Sequence, residues 1–126
     1  MKPEDFLRLA EELASKDDEA SLRTAISRAY YALFHNGRRI LIMHRKILYT
    51  HKIRMPRGRR AHYEIPEILR ILAIELCNPF YQMLADEMET LRERREKADY
   101  EIDKPFMSRE EVRELIRKAK NVKALV

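Results

Sequence analysis

The chain has 126 residues, 45% of them hydrophobic and 37% charged. That length fits one domain, and the mixture is too apolar for a disordered chain. Two glycines and five prolines leave little material for the tight turns of a sandwich or barrel, so the expected fold class is all-α. No apolar run reaches the length of a membrane span. The acidic start, Met1 to Asp5, lacks a signal-peptide core, so a cytoplasmic protein with no membrane contact is expected.

The lone cysteine, Cys77, excludes an internal disulfide framework and a cysteine zinc cluster, and it reads as a small buried apolar residue. The formal net charge of +5 is unevenly spread. Between Ala20 and Tyr63 there are eleven Lys or Arg and no Asp or Glu, while the remainder holds fifteen basic residues against twenty-one acidic ones. Such asymmetry implies an anionic partner, or a charge match within or between subunits.

The first segment, Pro3 to about Lys16, reads as a helix. Pro3 suits an early helical position, Glu4 and Asp5 favour the positive end of the dipole, and Phe6, Leu9, Ala10 and Leu13 share one face. Asp17 or Asp18 can cap the next helix, about Glu19 to Lys46. Its stripe runs through Leu22, Ala25, Ile26, Ala29, Leu33, Gly37, Ile40 and Leu41. Gly37 inside a helix costs about 1 kcal/mol against Ala, which a close helix crossing or a kink would explain. The run Ala29–Phe34 is apolar all round and is expected to be buried on more than one side, in the bundle or against a second subunit.

Ile47 to Tyr63 reads as a long basic connector containing Pro56 and Gly58. Pro66 then suits the first turn of a short third helix with Ile68, Leu69, Leu72 and Leu76 inward. After the break at Asn78-Pro79, a fourth helix runs to about Glu101. Its stripe is Phe80, Leu84, Met88 or Glu87, Leu91, Arg95, Ala98 and Ile102. Ser108 and Glu111 form a capping box for a last helix with Val112, Leu115, Ile116, Ala119 and Val122 inward. Five helices, short turns and one long loop imply a helical bundle over residues 1–126.

No glycine-rich phosphate loop, nucleophile elbow or metalloprotease helix is present. His35, His44, His51 and His62 do not pair at ligand spacing and sit among positive charges, so no metal site and no cofactor are expected. Arg54, Arg57, Arg59 and Arg60, with Tyr49 and Tyr63, suit contact with phosphates and bases; the competing reading is a solvated loop balanced by acidic residues elsewhere. Arg95, on an apolar stripe, must find an acid or reach a polar cleft, and Asp99 lies four residues on. Arg28 shares a face with Tyr31 and His35. Either Arg28, Arg95 and Asp99 form a buried ion network, or Arg28 and Arg95 line an anion pocket.

The run from Ala25 to His35, with Arg28, Tyr30-Tyr31-Ala32 and Phe34, resembles a segment of small prokaryotic HEPN-domain proteins (the higher-eukaryote and prokaryote nucleotide-binding domain). Arg95-Glu-Lys-Ala98-Asp99-Tyr100 resembles their later Arg-x-x-Ala-Asp-Tyr segment, and His62 before the third helix also fits. The resemblance implies an up-and-down bundle of about five helices, a homodimer, and a separate minimal nucleotidyltransferase as partner in a two-component, toxin–antitoxin-like system. Several relatives in that family are RNases whose late-helix Arg is followed by a His across a dimer cleft. Here the last histidine is His62, and Tyr100 stands five residues after Arg95 where that His would be. A phenol with a pKa of about 10 is a poor general base at neutral pH. The expected function is therefore nucleotide or RNA binding, with no catalytic residue. Arg28, Tyr31, His35, Arg95, Asp99 and Tyr100 would form the ligand site, and Arg54, Arg57, Arg59 and Arg60 would contact nucleic acid. The alternatives are a metal-independent RNase using His35 or His62, and a structural helper with no ligand.

Overall fold

Caps and apolar stripes divide residues 1–126 of the computed structural model into six α-helices and no strand: α1 (Pro3–Ala14), α2 (Glu19–Met43), α3 (Arg45–Thr50), α4 (Ala61–Glu75), α5 (Pro79–Tyr100) and α6 (Arg109–Leu125). Asp18 caps α2 by accepting from the Ser21 amide at 2.9 Å, and Asn78 caps α5 by accepting from the Phe80 amide at 3.0 Å. Ser108 and Glu111 form the expected capping box of α6. No helix is long and apolar enough to cross a membrane.

The centre of the bundle is α2, which packs against α1, α4, α5 and α6. That position explains the all-round apolar run: Ala29, Tyr30, Ala32, Leu33 and Phe34 are all buried within one chain, and no second subunit is needed to cover them. Gly37 marks a close crossing. A Cβ there would lie 3.0 Å from Ile65 Cγ2 and 3.1 Å from Met88 Sδ, so any side chain would force these two residues to shift where α2 meets α4 and α5. One continuous core of 28 buried residues runs through the bundle.

Several boundaries and faces differ from the sequence reading. In α1 the buried positions are Pro3, Leu7, Ala10 and Ala14, with Phe6, Leu9 and Leu13 only partly covered, because the helix is wedged between α2 and α6 and turns a different edge inward. The connector contains a sixth helix, α3, because Leu48 is 1% exposed and draws this segment onto the core. The helix stops when Lys52 takes a left-handed conformation (φ 57°), with the Ile53 amide donating to the Leu48 carbonyl at 2.9 Å.

The third expected helix starts at Ala61 rather than Pro66, so Pro66 lies in the interior of α4. Proline cannot donate to the carbonyl four residues back, which is that of His62. The Arg92 guanidinium donates to that carbonyl instead, at 2.6 Å, which removes much of the usual cost. Leu76, Phe80 and Ile102, expected inward, are 36%, 39% and 67% exposed because each stands at or beyond a helix end; Tyr81 is buried near the start of α5 instead. Cys77 is exposed, not buried. It occupies the left-handed position after α4 (φ 49°), where the Asn78 amide donates to the Ala73 carbonyl.

Candidate functional site

A cleft of about 790 Å³ opens where α2, α4 and α5 meet, lined by Tyr31, Arg59, His62, Tyr63, Arg95 and Tyr100, together with Lys97 and the carboxylates of Glu93, Glu96 and Glu101. Arg95 forms its inner wall. The apolar stripe of α5 carries the side chain toward the core, and only 14% of it is exposed. Its Nη1 donates to Asp99 Oδ2 at 3.3 Å, one turn on, and its Nε is buried with no acceptor. The guanidinium carbon lies 5.2 Å from the Tyr30 ring centre and 5.7 Å from that of Tyr31. These rings hold the cation by their negative faces and leave most of its donors free of protein acceptors.

Behind this wall Tyr30 is fully buried, and its Oη lies 2.6 Å from His62 Nδ1. Burial pushes the Tyr30 phenol well above its ordinary pKa, so it keeps its proton. The only partner within reach is the imidazole; the phenol therefore donates to Nδ1 and the ring proton sits on Nε2. His62 stacks on Phe34 at 4.6 Å between ring centres. Burial, with the charges of Arg95, Arg92 and Arg38, lowers its pKa, so it is neutral at pH 7.

The structure divides the expected ligand residues. Tyr31, Arg95 and Tyr100 line the cleft together. Asp99 is the acceptor for Arg95 and does not line it. Arg28 and His35 lie on the α1 side of Tyr31: the Arg28 guanidinium carbon is 5.5 Å from the Tyr31 ring centre and 5.9 Å from that of Phe6, and the His35 ring is 5.2 Å from Phe6. Burial first, then Arg38, the N-terminus and Arg39, lower the His35 pKa. Arg28 donates to Ser27 Oγ at 3.3 Å and forms no ion pair with Asp99, whose cationic partner is Arg95 one turn before it, so the three-residue buried network does not exist.

The four loop arginines are divided as well. Arg59 enters the cleft, while Arg54, Arg57 and Arg60 line a second concavity with Arg45, Lys46 and Lys52. Of the eleven cations in the acid-free stretch, Arg23 alone pairs with a carboxylate, Glu19 at 3.3 Å, so acids of the same chain do not neutralise this stretch.

Sequence reasoning gave no role to Tyr30, Arg92 or Arg23. Tyr30 is visible only as a member of the all-round apolar run and of the segment that carries the resemblance. Arg92 is betrayed by Pro66, since a helix-interior proline leaves a carbonyl in need of a donor. Arg23 donates to the carbonyls of Lys97, Ala98, Glu101 and Lys104 and so fastens the end of α5 that carries Tyr100. No three His, Cys, Asp or Glu side chains converge where a metal ion could sit. Comparison with protein-family models, with curated proteins and with solved structures finds no match.

Proposed function

We propose that the chain is a HEPN-like helical bundle that binds a nucleotide or RNA in the α2–α4–α5 cleft. On this reading it works as a homodimer beside a separate minimal nucleotidyltransferase, in a two-component, toxin–antitoxin-like system. The family frame, dimer and partner rest on the resemblance of the Tyr30-Tyr31 and Arg95–Tyr100 segments. The binding role rests on one observation: Arg95 is held at the cleft wall by two tyrosine rings, with a single protein acceptor and a buried Nε that has none. A phosphate supplies acceptors to the open Nη donors of that guanidinium, and the exposed ring of Tyr100 offers a face to a base. Titration with nucleoside triphosphates and short RNAs tests this. Binding should weaken by about tenfold or more in Arg95→Ala, and stay unchanged in Arg94→Ala, an exposed neighbour. Equal binding by wild type and a folded Arg95→Ala contradicts the reading.

An RNase built on His62 is the second reading, favoured by the placement of that neutral imidazole in the cleft. Its disadvantage is the hydrogen bond from Tyr30, which occupies Nδ1 and leaves Nε2 as a donor rather than a base. Metal-free RNA cleavage that disappears in His62→Ala would establish it over simple binding. A role without any ligand would be supported by guanidiniums closed off by protein acceptors, and Arg28 and Arg95 are not.

A further inference from the structure

The second concavity carries a feature that a mononucleotide would not use. It is larger than the cleft, about 1560 Å³, and Arg45, Lys46, Lys52, Arg54, Arg57 and Arg60 face it with Glu64 as its one carboxylate. None of these six cations forms an ion pair. Like charges crowded on one surface repel, and a purely structural loop gains nothing from them.

The segment is nevertheless fixed in place. Leu48 and Pro56 are buried, and Ile47, Ile53 and Met55 pack against the core. Its apolar side is anchored, and its charged side is held toward solvent as a defined surface. Tyr49, 84% exposed, adds a free ring face.

The concavity adjoins the cleft. Around the 3-10 turn Gly58–Arg60 the side chains alternate: Arg57 and Arg60 face the concavity, while Arg59, His62 and Tyr63 face the cleft. One ridge of chain is thus shared by a mixed-charge aromatic cleft and a cationic trough. We infer that the two form one continuous track for a single-stranded polynucleotide, with its phosphates along the loop cations and a base in the cleft among Tyr31, Tyr63 and Tyr100. The inference rests on the cleft being a nucleotide site and adds the class of ligand. A duplex fits less well, because its bases are stacked away from the tyrosine rings that line the cleft.

Fluorescence anisotropy with the full chain tests the track. The probes are a labelled single strand of about twelve nucleotides, as RNA and as DNA, its duplex, and a labelled mononucleotide, each over a salt series. The single strand should bind more tightly than the mononucleotide and than the duplex. Arg54→Ala/Arg57→Ala should weaken the single strand by about tenfold and flatten the salt slope by about 1.4, at about 0.7 per phosphate contact. The same double variant should leave the mononucleotide unchanged. Lys16→Ala/Lys118→Ala, which removes equal charge elsewhere, should change neither. RNA bound in preference to DNA would identify the natural strand as RNA, and equal binding would still support the track. A single strand bound no better than the mononucleotide, or unaffected by the loop variant, overturns the track while the cleft stands. Equal binding of duplex overturns the single-strand assignment. A mononucleotide that does not bind wild type removes the cleft and the track with it.

Discussion

Outside residues 20–63, ten of the fifteen Lys and Arg lie within 4.0 Å of a carboxylate, among them Arg70 with Asp86 and Glu89, Arg109 with Asp17 and Lys120 with Glu11. Inside that stretch one of eleven does. The paired cations cross between helices or cover a helix face, and their charge is spent on the chain itself. Seven of the ten unpaired ones gather on α3 and the segment from Lys52 to Arg60 that follows it, on a backbone that is anchored from beneath. Position in the sequence therefore separates two uses of the same residue types: fastening helices together, and presenting charge to something outside.

The sharpest break in that comparison is Arg23, which sits in the unpaired stretch and behaves like the paired one. Its guanidinium donates to four carbonyls at the end of α5 and lies 4.8 Å from the Phe106 ring centre. Arg23→Ala should cost about 2 kcal/mol in urea unfolding, because four carbonyls, two of them partly buried, lose one charged donor together. Arg54→Ala and Arg57→Ala should each change stability by less than about 0.5 kcal/mol, as exposed unpaired residues do. A similar cost for all three would mean that the loop cations are structural after all.

Gly37→Ala tests how tightly the helices that frame the cleft are drawn together. Overpacking against Ile65 and Met88 costs about 1–3 kcal/mol and improved helix propensity returns about 1, so a net loss of about 1 kcal/mol is expected. Cys77→Gly should stabilise by about 1 kcal/mol, since glycine adopts the left-handed conformation without strain. Thermal melts of the two variants should move in opposite directions.

The smallest effect expected is in pH. His35 and His62 are held neutral in the folded chain, with pKa values below the ordinary 6.5. Below pH 6.5 the unfolded chain takes up protons that the folded chain refuses. Stability is therefore complete above that pH and is lost as pH falls toward the lowered folded values. Buried Glu87 runs the other way: its raised pKa lets the folded chain take a proton first, which adds stability as pH falls from that raised value toward 4.5. Melting temperature should fall from pH 7 toward about pH 5.5, and His62→Gln should flatten that fall.

The helices were legible in the sequence where apolar stripes and caps coincide: α2, α5 and α6 lie where Asp18, Asn78 and Ser108 indicate. The stop of α3 and the Schellman-type end of α4 were not, because Lys52 and Cys77 adopt the conformation for which glycine is the usual sign. Pro66 misplaced the start of α4 because the compensating donor, Arg92, comes from another helix thirty residues away in the sequence. The same limit applies to the candidate site. Arg95 stood out as a cation on an apolar stripe, and Tyr31 and Tyr100 followed from the same segments. The separation of Arg28 and His35 from the cleft, and the bond between Tyr30 and His62, depend on how α1 and α4 lie against α2, which no local pattern encodes.

The central claim is that the uncommitted charge of residues 45–60 and the Arg95 cleft form one ligand surface. Backbone amide chemical-shift mapping with a single-stranded oligonucleotide tests it most directly. Shifts are expected at residues 45–63, around Tyr31 on α2 and at the end of α5 from Arg92 to Tyr100, with α6 silent. Shifts centred on α6 or on α1, or no shifts at low salt, would contradict it.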